Sequence, residues 1–150
     1  MSLILSGDQP VFSAYASATQ TVTLATATKV AIDTENFDTN SNFDTTNNRF
    51  TPTVAGYYQV NGCLRGNAAT TFTSITVYIY KNGSENIRTQ MSATLTNSAS
   101  TQINISNIVY MNGTTDYLEL YGNVAGTGTA TFNFSTAAAT SQFSAAWVRS

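Results

Sequence analysis

The 150-residue chain contains no histidine and a single cysteine, Cys63. Without an imidazole there is no side chain whose ordinary pKa lies near neutrality, no Ser–His or Cys–His nucleophile pair, and none of the commonest transition-metal ligand. Cys63 falls in the alternating run Tyr57 to Leu64, so it reads as a buried or interface thiol and not as an activated nucleophile. The remaining chemistry rests with carboxylates. Asp33, Glu35, Asp38 and Asp44 are close in sequence, and paired acids are the machinery of glycoside hydrolysis. The same oxygens suit a hard cation such as calcium, but no loop of regularly spaced oxygen ligands accompanies them. Acids in polar loops ordinarily cap turns. The expectation is no enzyme, no catalytic residue, no cofactor and no metal site, with a small glycan-cleaving enzyme as the catalytic alternative.

The charge pattern excludes other classes. Charged residues are 9% of the chain, against roughly 25% in ordinary soluble proteins. The six basic residues (Lys29, Arg49, Arg65, Lys81, Arg88 and Arg149) are scattered, so no stripe exists to neutralise a phosphate backbone or an anionic membrane. Neither nucleic acid nor membrane insertion is expected. Met1 to Asp8 has no basic leader and only a short apolar run, which points to synthesis in a cytoplasm, and one cysteine provides no disulfide framework. The four Asn-x-Ser/Thr matches, at Asn82, Asn104, Asn112 and Asn133, are chance products of a composition rich in Asn, Ser and Thr. With net charge −2 and 42% hydrophobic residues, weak mutual repulsion favours hiding part of the surface in an oligomer.

The elements that must position these residues are strands. Helical periodicity is absent, while short alternating runs recur between Gly, Asn, Asp and Ser. Thr73 to Tyr80 places Ile75, Val77 and Ile79 on one face and runs into Lys81-Asn-Gly83, a strong hairpin signal. Asn104 to Met111 follows, then Tyr117 to Tyr121, with Leu118 and Leu120 on one side and Tyr117, Glu119 and Tyr121 on the other. Further strands are expected at Val11–Ala16, Thr21–Leu24, Thr28–Asp33, Tyr57–Leu64, Ile87–Thr96, Ala130–Phe134 and Gln142–Val148, with Asp38–Asn48 a loop. With only two prolines, Pro10 and Pro52, little interrupts them. The spacing suits an all-β two-sheet sandwich or barrel. It is expected as one head domain, 11–150, behind an N-terminal arm, 1–10.

Taken in order, several segments resemble the globular head of complement first component subcomponent q and its relatives in the tumour necrosis factor-like jelly-roll superfamily. Phe12-Ser-Ala14 is similar to the family's opening strand. Asn42-Phe-Asp44, Arg49-Phe-Thr-Pro52 and Gly56-Tyr-Tyr-Gln-Val60 resemble its most specific block. Tyr78 to Gly83, Asn112 to Leu120 and Ser141-Gln-Phe-Ser-Ala-Ala-Trp147 occupy the places of its later strands. Departures are Val60 for the usual Phe, Thr-Thr before Asp116 in place of Gly, and Ala145 for the late Gly. The resemblance implies an all-β antiparallel two-sheet jelly-roll sandwich of about ten strands that forms a homotrimer without a shared catalytic site. It also implies that Phe12, Phe50, Gly56, Tyr58, Val60, Leu118, Leu120, Phe143 and Trp147 are core and turn positions.

In such a trimer the outer side of one sheet turns toward the threefold axis, so Tyr57, Gln59, Tyr117, Glu119 and Tyr121 are the expected interface, tyrosine combining large buried area with a polar tip. The leading expectation is a virion structural protein: a trimeric knob that decorates or cements a phage capsid, is made in the bacterial host cytoplasm, and reaches a capsid subunit through the arm. One alternative is the receptor-binding or glycan-binding tip of a phage fibre, meeting a host surface through loops 38–48 and 96–102. Another is a secreted recognition module of complement-head type.

Overall fold

The computed structural model describes residues 9–96, 100–133 and 140–150. Among the described residues there are thirteen strands and no helix. In chain order they are β1 (Val11–Tyr15), β2 (Gln20–Val22), β3 (Thr28–Lys29), β4 (Thr34–Asp38), β5 (Phe43–Asp44), β6 (Arg49–Phe50) and β7 (Gly56–Ala68). They continue with β8 (Thr71–Lys81), β9 (Ser84–Thr96), β10 (Ser100–Met111), β11 (Leu118–Thr127), β12 (Ala130–Phe132) and β13 (Gln142–Arg149). All pairings are antiparallel. The first sheet runs β2-β12-β7-β13-β1-β4 with β10 on the other side of β7; the second runs β5-β6-β11-β8-β9 with β3 on β11. This is the two-sheet jelly-roll sandwich that the resemblance implied.

The inner faces interlock in the manner the alternation dictates. Along β7, Tyr58, Val60, Gly62 and Leu64 are buried while Gln59, Asn61 and Cys63 between them face outward. From the second sheet Ile75, Val77, Ile79, Leu118, Leu120 and Val124 meet them. One end of the core is aromatic. Phe12 stacks on Phe50 at 4.4 Å and on Phe43 at 4.8 Å, with Phe143 edge-on at 5.3 Å, a geometry that adds about 0.5–1.5 kcal/mol per pair beyond burial. The buried Tyr58 hydroxyl donates to Val54 O at 2.7 Å. Burial pushes its pKa up to about 12.

Phe12, Phe50, Gly56, Tyr58, Val60, Leu118, Leu120 and Phe143 are buried. Trp147 packs partly buried against the core, its Nε1–H donating to Ala55 O at 3.2 Å. Gly56 sits beside it at φ +145°, and a Cβ there would run into Trp147 Nε1 and the Arg149 carbonyl. Asn82 and Gly83, with φ of 53° and 77°, make the two-residue turn joining β8 to β9, as the Lys-Asn-Gly signal requires.

Two expectations need correction. Thr28–Asp33 is not one strand: β3 pairs with β11 in the second sheet and β4 pairs with β1 in the first. The intervening residues cross between sheets, dropping Val30 and Ile32 into the core. Nor is 38–48 a plain loop, since β5 lies inside it, pairs with β6 and buries Phe43. The polar residues around Phe43 masked a single apolar anchor. Most of the expected arm, the end of the Ala130–Phe134 strand, part of loop 96–102 and part of the Asn133 glycosylation match lie outside the described residues.

Candidate assembly surface

The acids of the catalytic alternative are spent locally. Asp33 accepts from the Ser17 backbone N–H at 2.8 Å and its hydroxyl at 2.7 Å; burial works to raise its pKa, but these hydrogen bonds outweigh it and hold the carboxyl below its usual value. Asp38 accepts from Phe43 N and Asn40 N. Asp44 accepts from the Asn47 side chain at 2.6 Å and from the Asn47 and Thr46 amides, and the Asn47 side chain leads in lowering its pKa. Asp38 and Asp44 close their own turns and Asp33 ties its segment to Ser17, 16 residues earlier, while Glu35 is exposed on β4. Among the described residues no three Cys, Asp or Glu side chains converge as a metal site.

The five expected interface residues do not share a face. Tyr57 and Gln59 stand on the outer face of the first sheet, on β7, whereas Glu119 and Tyr121 stand on the outer face of the second, on β11, with Tyr117 just ahead of them. The second group is largely partnered within the chain. Glu119 is 2% exposed, and one of its oxygens accepts from Lys29 Nζ at 3.0 Å and from Arg49 Nε and Nη2 at 3.0 and 2.8 Å. The Arg49 guanidinium lies 3.7 Å from the Tyr117 ring centroid, and Tyr121 stacks on Tyr80 at 4.0 Å. Alternation reports which side of a strand a residue takes. It does not report which sheet the strand joins.

The outer face of the first sheet is different. Register places Ile108, Gln59, Ala146 and Val11 in one row across β10, β7, β13 and β1, and Ser106, Asn61, Ser144, Ser13 and Phe37 in the next, which reaches β4. These rows carry no charge. Gln59 Nε2 donates to Ser106 Oγ at 2.7 Å and to Asn107 O at 3.3 Å, so the amides of the face are tied down. Half-buried Cys63 belongs to the same face, accepting from Gln102 Nε2 at 2.8 Å and donating to Thr140 O at 3.4 Å. Burial pushes its thiol pKa up, with the Gln102 contact opposing, so it is a poor nucleophile.

Two apolar features mark this face, the first lining with Arg149 a shallow hollow of about 430 Å³. Toward the β10 edge, Tyr57, Ile108, Tyr110 and Val148 are 44–54% exposed, the two tyrosines edge-on at 5.4 Å. Toward β1 and β4 lies a hollow of about 280 Å³ floored by the small residues Ser13, Ser144 and Ala146 and walled by Phe37 and Val11. Ile108, Tyr110, Val148 and Phe37 were not singled out by the sequence pattern. In Ile108-Val-Tyr-Met111 both faces of the strand are apolar, so no alternation signals the outward pair.

No known family profile matches the sequence, and a search of curated proteins finds no relative. Solved structures do match. The chain is similar to the globular domain of zebrafish complement 1qA protein, with a TM-score of 0.63 at 13% identity, covering 95% of this chain and 99% of that one. It is also similar to the Eiger tumour necrosis factor of S. frugiperda, with a TM-score of 0.66 at 10% identity, covering 93% and 91%. The fold is thus the complement-head and tumour necrosis factor-like jelly roll over nearly the whole chain.

Proposed function

We propose that this chain is a non-catalytic assembly module: three copies close into a ring through the outer face of the first sheet, and the trimer decorates the outside of a phage capsid. The observation that carries the reading is the exposed apolar cluster at the β10 edge together with the hollow beside Val11 and Phe37, on one face whose two central rows carry no charge. A patch that fits a hollow elsewhere on the same surface makes a head-to-tail contact, and such contacts end only by closing a ring. The apolar cluster of Tyr57, Ile108 and Tyr110 from one copy packs against the Ser13–Ser144–Ala146 hollow of the next, with Arg149 at its margin. Exposed apolar area that a monomer would leave wet is thereby covered. A threefold knob suits threefold and quasi-threefold positions on an icosahedral shell, where many modest contacts act together.

Immunogold labelling of purified particles with an antibody to the chain, with mass spectrometry of the same particles, tests the setting. Label spread over the capsid supports decoration. Label confined to a fibre tip, or a particle without the chain, overturns it.

A further inference from the structure

An edge strand turns every second residue's N–H and C=O outward, so natural sheets protect their edges. Most edges here are protected. The pairing of β9 with β8 carries two register shifts, and β5 is two residues long. In the first sheet β4 is short, carries Glu35 and Asp38 and has a register shift, while β2 spans three residues. β10 has none of these devices. Its 12 residues contain no charge and no proline, its register with β7 is unbroken, and among the described residues it pairs with β7 alone.

The groups that face outward follow from β7. The Arg65 carbonyl accepts from Asn133 N at 2.7 Å and its N–H donates to Ser141 Oγ at 3.3 Å, so the peptide groups of Arg65 point toward β12 and β13. Direction alternates along a strand, so Leu64 and Gly66 turn theirs to Ile103 and Thr101 on β10. Gln102, Asn104, Ser106 and Ile108 therefore direct their N–H and C=O groups away from β7. The same parity delivers Tyr110 O to Lys81 Nζ at 2.7 Å. The open stretch from Gln102 to Ile108 is roughly 20 Å long at about 3.3 Å per residue.

We propose that this edge takes an added strand, and that the strand is the segment Met1–Asp8 of a second copy of this chain; the proposal rests on the ring contact described above. Three observations converge on that occupant. Val11 walls the hollow, so the ring seats the neighbour's Ile108 and Tyr110 beside the root of the segment at Gln9. The run Ser2-Leu-Ile-Leu-Ser6 is free of charge and proline, as the edge it would pair with is. Extended at about 3.3 Å per residue, residues 1–8 reach roughly 26 Å, enough to cover the open stretch. Backbone pairing of this kind confers affinity on a segment that supplies few side-chain contacts.

Residue-resolved hydrogen exchange of the Gln102, Asn104, Ser106 and Ile108 amides, paired with solution mass, tests it on the full chain and on a variant beginning at Gln9. A trimer is expected from both. The four amides should exchange at least about tenfold more slowly in the full chain, the truncation should abolish the difference, and a synthetic peptide of residues 1–8 should restore it. Ile4→Pro in the full chain, which removes a ladder donor, should lift protection in the same way. A trimer whose amides exchange equally with and without the segment overturns the added strand and leaves the ring standing. A monomeric full chain overturns the ring and, with it, a second copy as the donor.

Discussion

Replacing Tyr110 with alanine removes one of the largest exposed apolar groups of the proposed contact. Tyr110 is 48% exposed in the single chain, which for an aromatic side chain of about 200 Å² leaves about 100 Å² to be covered on assembly. At about 25 cal/mol per Å² this is worth about 2 kcal/mol per contact, allowing for what alanine still covers. A ring has as many contacts as copies, so a trimer loses about 6 kcal/mol, or about 10⁴-fold in its monomer–trimer equilibrium. The fold itself should lose only about 1 kcal/mol, because within the chain Tyr110 meets Tyr57 edge-on and lies 6.0 Å from Lys81 Nζ. Sedimentation equilibrium over a wide concentration range reads the first quantity and urea unfolding the second. Tyr121→Ala, a truncation of equal size on the opposite face, should change the association by less than about threefold. If Tyr121→Ala dissociates the assembly and Tyr110→Ala does not, the face has been assigned to the wrong sheet.

Three further outcomes follow from the packing. Gly122 faces the core, where an added Cβ would collide with Leu64 Cδ2 and lie 2.8 Å from Phe132 Cζ. Gly122→Ala should therefore cost about 1–3 kcal/mol in urea unfolding, and combining it with Leu64→Val should recover part of that loss. Asp116 is held below its usual pKa first by its hydrogen bond from Lys81, at 2.8 Å, and then by Asn82. A lowered folded-state pKa gives stability that is present above the unfolded value, 3.8, and lost as pH falls through the folded one. Asp116→Asn should accordingly flatten the acid limb of the stability profile below about pH 4, as followed by thermal melts. Cys63 lies on the proposed assembly face with its thiol pKa raised, so it should react slowly with disulfide reagents in the wild type and faster in Tyr110→Ala.

The fold was legible because strand periodicity is a local property. The alternation at Thr73–Tyr80 and Tyr57–Leu64 specifies which side chains point inward whatever the partners are, and Asn82-Gly83 specifies a turn by backbone conformation alone. The crossover at Val30–Asp33 was not legible, since apolar residues that continue a strand and apolar residues that step between sheets have the same composition. Phe43 was hidden for the opposite reason, one buried ring among polar neighbours. Of the proposed assembly surface, part was visible. Tyr57 and Gln59 were assigned to an outward face, but Glu119 and Tyr121 joined them only through an assumption about which strands share a sheet. Charge balance settles Glu119 differently: a carboxylate this buried requires cations, and Lys29 and Arg49 supply them from strands distant in sequence.

The most direct test of the proposed ring is the solution mass of the full chain by light scattering at low micromolar concentration. The chain is 16.0 kDa. The account predicts a stable mass of three chains that persists in high salt, because the contact is made by apolar groups and not by ion pairs that salt would screen, Arg149 lying beside Tyr57 at its margin. A monomer, or a dimer that does not grow with concentration, would contradict a head-to-tail contact closing on three copies.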